Sequence, residues 1–168
     1  MTKEIQLTRG KVALVDDADY EALNQYKWCV AHGQTGGFYA VRAGLARDGQ
    51  RKRTILMHRQ IVGAAAGVDV DHANGNTLDN RRRNLREATR SQNCANRHKR
   101  PASSSKYRGV HWKKANGKWA AQIKVNGHIR HLGLFADEQE AARTYDAAAR
   151  AVFGEYANPN FPQPERRA

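Results

Sequence analysis

The feature that most constrains the fold of this chain is a polar, strongly basic stretch in its middle. Residues 81–100 carry eight Lys and Arg side chains against a single acidic one, Glu87, and the run Pro-Ala-Ser-Ser-Ser follows at 101–105. Small polar residues without apolar periodicity are typical of a linker. The sequence therefore predicts two short folded regions, 1–100 and 106–162, each with a small core, and a tail at 163–168.

The net charge of the chain indicates which kinds of partner it is expected to bind. There are 29 Lys and Arg against 16 Asp and Glu, which gives a net charge of +13 and a pI near 10.2. Such an excess favours polyanions, with nucleic acid first and an anionic membrane surface as the weaker alternative. Cys29 and Cys94 lie far apart without a CxxC pair, which argues against a disulfide framework and a thiolate zinc site.

The hydropathy of the sequence argues against a membrane protein and a secreted protein. The mean hydropathy is −0.82, and no apolar run approaches the roughly 20 residues needed to span a bilayer. The charged N-terminus lacks the apolar core of a signal peptide. We therefore expect a cytoplasmic protein that is not secreted and is not a membrane protein.

Residues 1–62 alternate between strand and helix signals. Apolar residues flank Arg9-Gly10-Lys11, which predicts a hairpin, and residues 16–26 have helical spacing. The β-branched and apolar segments 38–42 and 53–57 predict a second hairpin, and residues 58–62 a further short helix.

The C-terminal region has a clearer pattern. Residues 107–114, 118–125 and 128–135 are three strand-like runs, the last two joined by Asn126-Gly127, a dipeptide that favours a tight hairpin turn. A helix is expected between Asp137, as its N-cap, and Gly154. The predicted fold class is α+β, with a three-stranded antiparallel sheet packed on one helix in this region.

The most informative cluster of polar residues begins at Asp71-His72, at the end of a probable strand. An eleven-residue loop follows, residues 84–86 can pair back, and a helix capped by Thr89 holds Asn93 in its first turn. Hydrolysis of a phosphodiester needs a base to activate water and a divalent cation to offset charge. An ordinary Asp-His loop remains the alternative, and so does a purely structural role for Asn84.

Several separated segments resemble the HNH homing endonucleases of phages and introns. They are His58-Arg59, residues 71–80, Asn84-Leu85-Arg86 and residues 91–96. The resemblance implies a ββα-metal unit with its core motif at about 56–98, preceded by β-hairpins.

The same resemblance implies roles for individual residues. His72 is the general base, Asn84 braces the catalytic loop, and His58 is an auxiliary contact. Asp71 and Asn93 hold one divalent ion, Mg²⁺ or Mn²⁺, which suits their oxygen ligands. Many family members carry His at the position of Asn93.

The C-terminal region resembles the APETALA2/ethylene-response-factor type of DNA-binding domain. The segments that carry the resemblance are 107–110, 117–124, 132–135, 140–149 and 160–162. It implies a sheet laid in the major groove of DNA, whose dimensions admit a β-ribbon. Period-two alternation turns Trp119, Ala121, Ile123 and Val125 toward the helix, and Ala120, Gln122 and Lys124 toward DNA.

Two groups of residues are expected to contact DNA. The sheet region contributes the first group: Arg108, His111, Lys113, Gln122, Lys124 and His131. The loop that follows His72 contributes three arginines that are expected to contact the phosphate backbone of DNA: Arg81, Arg82 and Arg83.

These features together predict a metal-dependent, sequence-targeted DNA endonuclease that nicks one strand per monomer. Its partner is double-stranded DNA in the cytoplasm or nucleoid of a phage or mobile-element host. We expect no membrane and no small-molecule substrate, and a monomer or weak dimer. The alternative is a non-catalytic transcriptional regulator with a relic HNH unit, and RNA binding is a third, weaker possibility.

Overall fold

The computed structural model describes residues 1–33, 37–44, 53–97 and 104–161. The chain divides into two compact units, Met1–Ala88 and Thr89–Ala168. The boundary lies before the predicted one near residue 100, because the helix that follows Thr89 packs within the second unit. The predicted tail at 163–168, residue 162 of the predicted DNA-binding domain and residues 101–103 of the predicted linker lie outside the described residues.

The first unit opens with the predicted hairpin. Strand β1 (Thr2–Gln6) pairs antiparallel with β2 (Val12–Asp16), and helix α1 (Asp17–Asn24) follows directly. The alternation of buried and exposed residues in β2 is that of a strand with one face on the core. Both the hairpin and the short helix are confirmed.

A second, three-stranded antiparallel sheet follows in the first unit. It contains β3 (Cys29–His32), β4 (Phe38–Ala43) and β5 (Thr54–Leu56), with β4 in the centre. The pairing of β4 with β5 confirms the second predicted hairpin, whose turn at 45–52 lies outside the described residues. Strand β3 was not predicted. Helix α2 (Met57–Val62) starts immediately after β5 and ends at Gly63, whose φ of 69° suits glycine.

The last elements of the first unit are the antiparallel strands β6 (Asp69–His72) and β7 (Leu85–Ala88). The loop between them is tied to β2 by two backbone hydrogen bonds. Leu14 N donates to Leu78 O at 2.9 Å, and Asn80 N donates to Leu14 O at 2.7 Å. The loop is therefore held like an added strand.

The core of the first unit surrounds Trp28, which is 2% exposed and donates its indole N–H to Leu23 O at 2.8 Å. The buried apolar residues come from β1, β2, α1, β4 and α2 and from the segments beside them: Ile5, Leu7, Ala13, Val15, Leu23, Trp28, Ala40, Met57 and Ile61. This core supports the strands that carry Asp71 and His72.

The second unit begins with helix α3 (Arg90–Asn96). The Thr89 hydroxyl accepts from Gln92 N and the Gln92 side chain accepts from Thr89 N, which is the predicted capping box. Ala95 of α3 packs into the core of this unit.

Three strands and one long helix complete the second unit, as predicted. Strands β8 (Val110–Lys113), β9 (Lys118–Val125) and β10 (His128–Phe135) form an antiparallel sheet with β9 in the centre. Helix α4 (Glu138–Phe153) follows, and Asp137 accepts from Glu140 N at 2.8 Å as its N-cap. The α+β fold class is confirmed in this form, with several small antiparallel sheets and four helices among the described residues.

Small residues bring α4 close to the sheet. Ala121 of β9 and Ala141 and Ala142 of α4 are completely buried. Gly109, with a φ of 72°, lies against the Tyr145 ring, where an added Cβ would be 2.0 Å from a ring carbon. Only glycine fits there, so the segment before β8 is closely packed on α4. Among the described residues, no helix has the length and apolar character to cross a membrane.

Candidate functional site

Asp71 and His72 end strand β6 and are 5% and 4% exposed. Asp71 lies opposite Arg86 of β7. Arg86 donates from Nε and Nη2 to Asp71 Oδ2, at 2.9 and 2.8 Å. Sequence reasoning missed Arg86, although the predicted hairpin register contained the signal, since cross-strand neighbours of opposite charge pair on one face.

The His72 ring has two aromatic neighbours and one amide neighbour. The centroids of the His58 and Tyr39 rings lie 5.0 and 6.2 Å from it. Asn80 Oδ1 lies 3.4 Å from His72 Nε2, while Asn80 Nδ2 donates to Leu78 O at 3.2 Å. Because Nδ2 is the donor to Leu78, Oδ1 is the acceptor that faces His72.

Burial sets the protonation of both histidines. Desolvation lowers the pKa of His72, against the opposing effects of its hydrogen bond to Asn80 and of nearby carboxylates. Desolvation, together with the charges of His72 and Arg59, lowers the pKa of His58 to about 3. Both imidazoles are therefore neutral at neutral pH, and a neutral imidazole can accept a proton.

Asn84 forms two hydrogen bonds to the backbone of the loop between β6 and β7. Its Oδ1 accepts from Asn74 N at 2.9 Å, and its Nδ2 donates to Asp79 O at 2.7 Å. The Asp79 side chain, 2% exposed, is the second organising group of the loop. It accepts from Arg81 Nε at 2.7 Å, Arg81 Nη2 at 2.6 Å and Asn74 Nδ2 at 2.9 Å. The hydrogen bond from Arg81 lowers the pKa of Asp79, which keeps it ionised.

The three loop arginines differ in their surroundings. Arg81 forms the ion pair with Asp79, and Arg82 donates from Nε and Nη2 to Asp19 at 2.8 and 2.7 Å. Arg83 is exposed. Arg81 thus forms an ion pair within the loop, and Arg82 connects the loop to α1. Both residues were expected to contact the phosphate backbone of DNA, and these ion pairs were not predicted.

The two residues expected to bind metal lie in different units, Asp71 in the first and Asn93 in α3 of the second. The described residues contain no group of three His, Cys, Asp or Glu side chains that could hold a metal ion. Magnesium, however, is commonly bound by one or two carboxylates together with waters and substrate phosphates. The oxygen donors of Asp71 and Asn93 therefore fit Mg²⁺ or Mn²⁺ in chemistry.

In the second unit, α4 packs on the sheet face that carries Ala121 and Ile123. The opposite face carries the alternate residues of each strand. Cross-strand pairing puts His111 opposite Ala120, and His131 opposite Gln122. Lys113 and Lys124 are exposed. Ala120 lies on this face, between His111 and Leu134 in the register, but it is only 3% exposed and so offers little contact surface.

Arg108 lies just before β8 and lines a cavity of about 720 Å³. Its Nη2 donates to Cys94 O of α3 at 3.2 Å. Its Nη1 is buried and lacks a hydrogen-bond partner among the described residues, and desolvation lowers its pKa. Arg90 and Lys124 also line the cavity, so that it carries three basic side chains in all, and the neutral Gln122 lies beside them.

Comparison with known proteins finds similarity to HNH endonucleases and to AP2/ERF proteins. The HNH endonuclease family matches residues 56–95. An uncharacterised HNH endonuclease of Acanthamoeba polyphaga mimivirus is 29% identical over 90% of this chain and 76% of its own length.

Two further similar proteins are plant transcription regulators. A transcription repressor of Arabidopsis thaliana that contains AP2/ERF and B3 domains is 42% identical over 42% of this chain. An ethylene-responsive transcription factor of the same plant is 45% identical over 38% of the chain. The chain spans only 19% and 25% of these two proteins.

The buried Asp-His pair at the end of β6 lies within the segment that the HNH endonuclease family matches. The chain is similar to HNH endonucleases over residues 56–95 and to AP2/ERF proteins in its C-terminal part, so both resemblances are confirmed as similarities.

Proposed function

We propose that this protein is a metal-dependent, sequence-targeted DNA endonuclease of the HNH homing type, which nicks one strand per monomer. The observation that carries the proposal is the environment of His72. It is buried and neutral at neutral pH, and Asn80 binds its Nε2. A histidine oriented in this way is prepared to act as a general base.

In the proposed reaction, His72 takes the proton from a water that attacks the scissile phosphate. Asn80 holds the ring orientation, and Asn84 and Asp79 fix the loop that carries Asn80. The His58 and Tyr39 rings pack beside His72 and exclude alternative ring positions. His58 is thus an auxiliary residue that acts through packing.

Asp71, and Asn93 from α3, are the proposed holders of one Mg²⁺ or Mn²⁺. The ion would offset negative charge on the phosphate and the leaving oxygen. Arg86 keeps the Asp71 carboxylate in a fixed orientation through two hydrogen bonds to Oδ2.

The sheet face opposite α4 is the proposed DNA-binding surface, with His111, Lys113, Gln122, Lys124 and His131 as contacts. Arg108 is a further proposed contact, at the cavity that residues of α3, β9 and α4 line together. A buried guanidinium N–H without an acceptor is costly, and a phosphate oxygen entering the basic cavity would satisfy it. In the first unit, exposed Arg83 is the best placed of the loop arginines to contact the backbone.

Arg108→Ala is expected to weaken DNA binding uniformly across sequences. Loss of one phosphate contact should reduce the slope of log affinity against log salt by about 1. Fluorescence anisotropy at several salt concentrations measures both quantities. Arg143→Ala is the matched control, because Arg143 lies exposed on α4 and stacks on Phe161. An unchanged slope for Arg108→Ala would remove Arg108 from the interface.

The proposed activity is tested on supercoiled plasmid. The full-length protein first selects a sequence from a randomised duplex pool in the presence of a chelator, and that sequence is cloned into the plasmid. Open circles formed with Mg²⁺ or Mn²⁺, but not with chelator, are the expected result. Retarded complexes without any nicking would instead support the non-catalytic regulator, a function that the plant transcription factors among the relatives carry by name.

A further inference from the structure

The sheet face opposite α4 carries exposed aliphatic side chains among its polar ones. Ile129 is 56% exposed and Leu134 is 42% exposed, and both lie on β10. Register puts Ile129 opposite Lys124 and Leu134 opposite Ala120. Both therefore project from the face that α4 leaves uncovered, since Ile123 and Ala121, their alternates on β9, are in the core.

Ile129 and Leu134 add apolar surface to a face that is otherwise polar, and a partner that covers them removes this surface from water. Here the surroundings identify the partner. Lys113, Lys118 and Lys124 are exposed at alternate positions of the same face. A surface with this charge favours a polyanion, and a flat antiparallel sheet fits the major groove of duplex DNA.

We infer that Ile129 and Leu134 read the C5-methyl groups of thymine in the major groove, so that the target contains A·T pairs at the steps facing β10. This inference rests on the proposed DNA binding by the sheet. Among base edges in that groove, the thymine methyl is the one apolar group, and an aliphatic side chain is its natural complement. Neither side chain can donate or accept a hydrogen bond, so neither can read guanine, cytosine or the N6 amino and N7 edge of adenine.

Gln122 supports the same target composition. It lies opposite His131 and diagonally across from Ile129 on the same face. A glutamine amide can bond adenine N6 and N7 in a bidentate manner. An amide and an aliphatic group side by side match the two halves of an A·T pair, whereas Lys124 is suited to phosphate or guanine.

The test compares thymine with uracil, which differs only by the methyl group. The full-length protein, in chelator, is bound to the duplex recovered by selection and to the same duplex made with deoxyuridine in place of thymidine. We expect the thymidine duplex to bind about fourfold to fifteenfold more tightly, the value of one or two buried methyl groups. Ile129→Ala should remove most of this ratio. Val152→Ala, an exposed aliphatic on α4, should leave it intact.

Three outcomes would overturn the inference. They are equal binding of the two duplexes by the wild-type protein, an unchanged ratio in both Ile129→Ala and Leu134→Ala, and a selected site without A·T pairs. If any of them occurs while binding remains steeply salt-dependent and the plasmid is nicked, the proposed function stands and only the base readout is wrong. If the pool yields no selected sequence at all, sequence-targeted binding fails together with the readout.

Discussion

Replacing His72 by alanine is expected to lower the nicking rate by about 10²–10⁴-fold, the range for loss of a general base. The reason is that His72 is the proposed proton acceptor, oriented by the contact between Nε2 and Asn80. Affinity for the selected duplex should not change, because the proposed DNA-reading face lies in the second unit. Plasmid nicking with Mg²⁺ and anisotropy in chelator measure the two quantities on the same preparations.

The control for this variant is His32→Ala, an exposed histidine of the first unit whose ring packs on Phe38. It should nick at the wild-type rate. His72→Gln retains hydrogen-bonding capacity and reduces the change in packing, so it separates loss of the base from loss of the fold. Nicking by both His72 variants at the wild-type rate would contradict the assignment of the base.

Much of the fold could be predicted because its signals are local. The Asn126-Gly127 turn, the N-cap at Asp137 and the capping box at Thr89 each determine structure within four residues of themselves. The three strands of the second unit also carry long alternating patterns. Strand β3 has only four residues, and it was missed although the glycines at 33, 36 and 37 mark a turn between it and β4.

The candidate site could be predicted only in part, because only some of its signals are local. Asp71 and His72 are adjacent in the chain and belong to a recognisable motif. The partners that orient them, Arg86 and Asn80, are chosen by strand register and by the path of the loop over β2. The ion pairs of Arg81 and Arg82 were likewise hidden, because a run of arginines indicates DNA binding and structural pairing equally well.

The helix that carries Asn93 illustrates a further limit of sequence patterns. The capping box correctly predicted where α3 starts, yet it carries no information on what α3 packs against. That choice depends on Ala95, which joins Ile123, Tyr145 and Phe153 in the core of the second unit. Domain boundaries follow such long-range packing, whereas a polar linker in the sequence reports only where the chain has little local structure.

Asp79→Ala is expected to lower the free energy of unfolding by about 2–3 kcal/mol at neutral pH, since hydrogen bonds to a charged group are lost together. Three donors from Arg81 and Asn74 would lose their acceptor, and the loop that carries Asn80 would loosen. Nicking should fall as well, because Asn80 orients His72. Urea denaturation and the plasmid assay measure the two effects.

The pH dependence of this loss distinguishes the ion pair from a packing defect. The pKa of Asp79 is held below its ordinary value of 3.8 by Arg81, so its stabilising contribution is present above pH 3.8 and disappears as the pH falls through the lowered pKa. The difference between wild type and Asp79→Ala should therefore shrink in strong acid. Asp17→Ala is the control, because its ion pair with Lys3 spans 3.6 Å at a half-exposed site, and it should change stability by no more than about 0.5 kcal/mol. A difference for Asp79→Ala that is the same at neutral and strongly acidic pH would mean that the side chain stabilises the loop by packing and not by its charge.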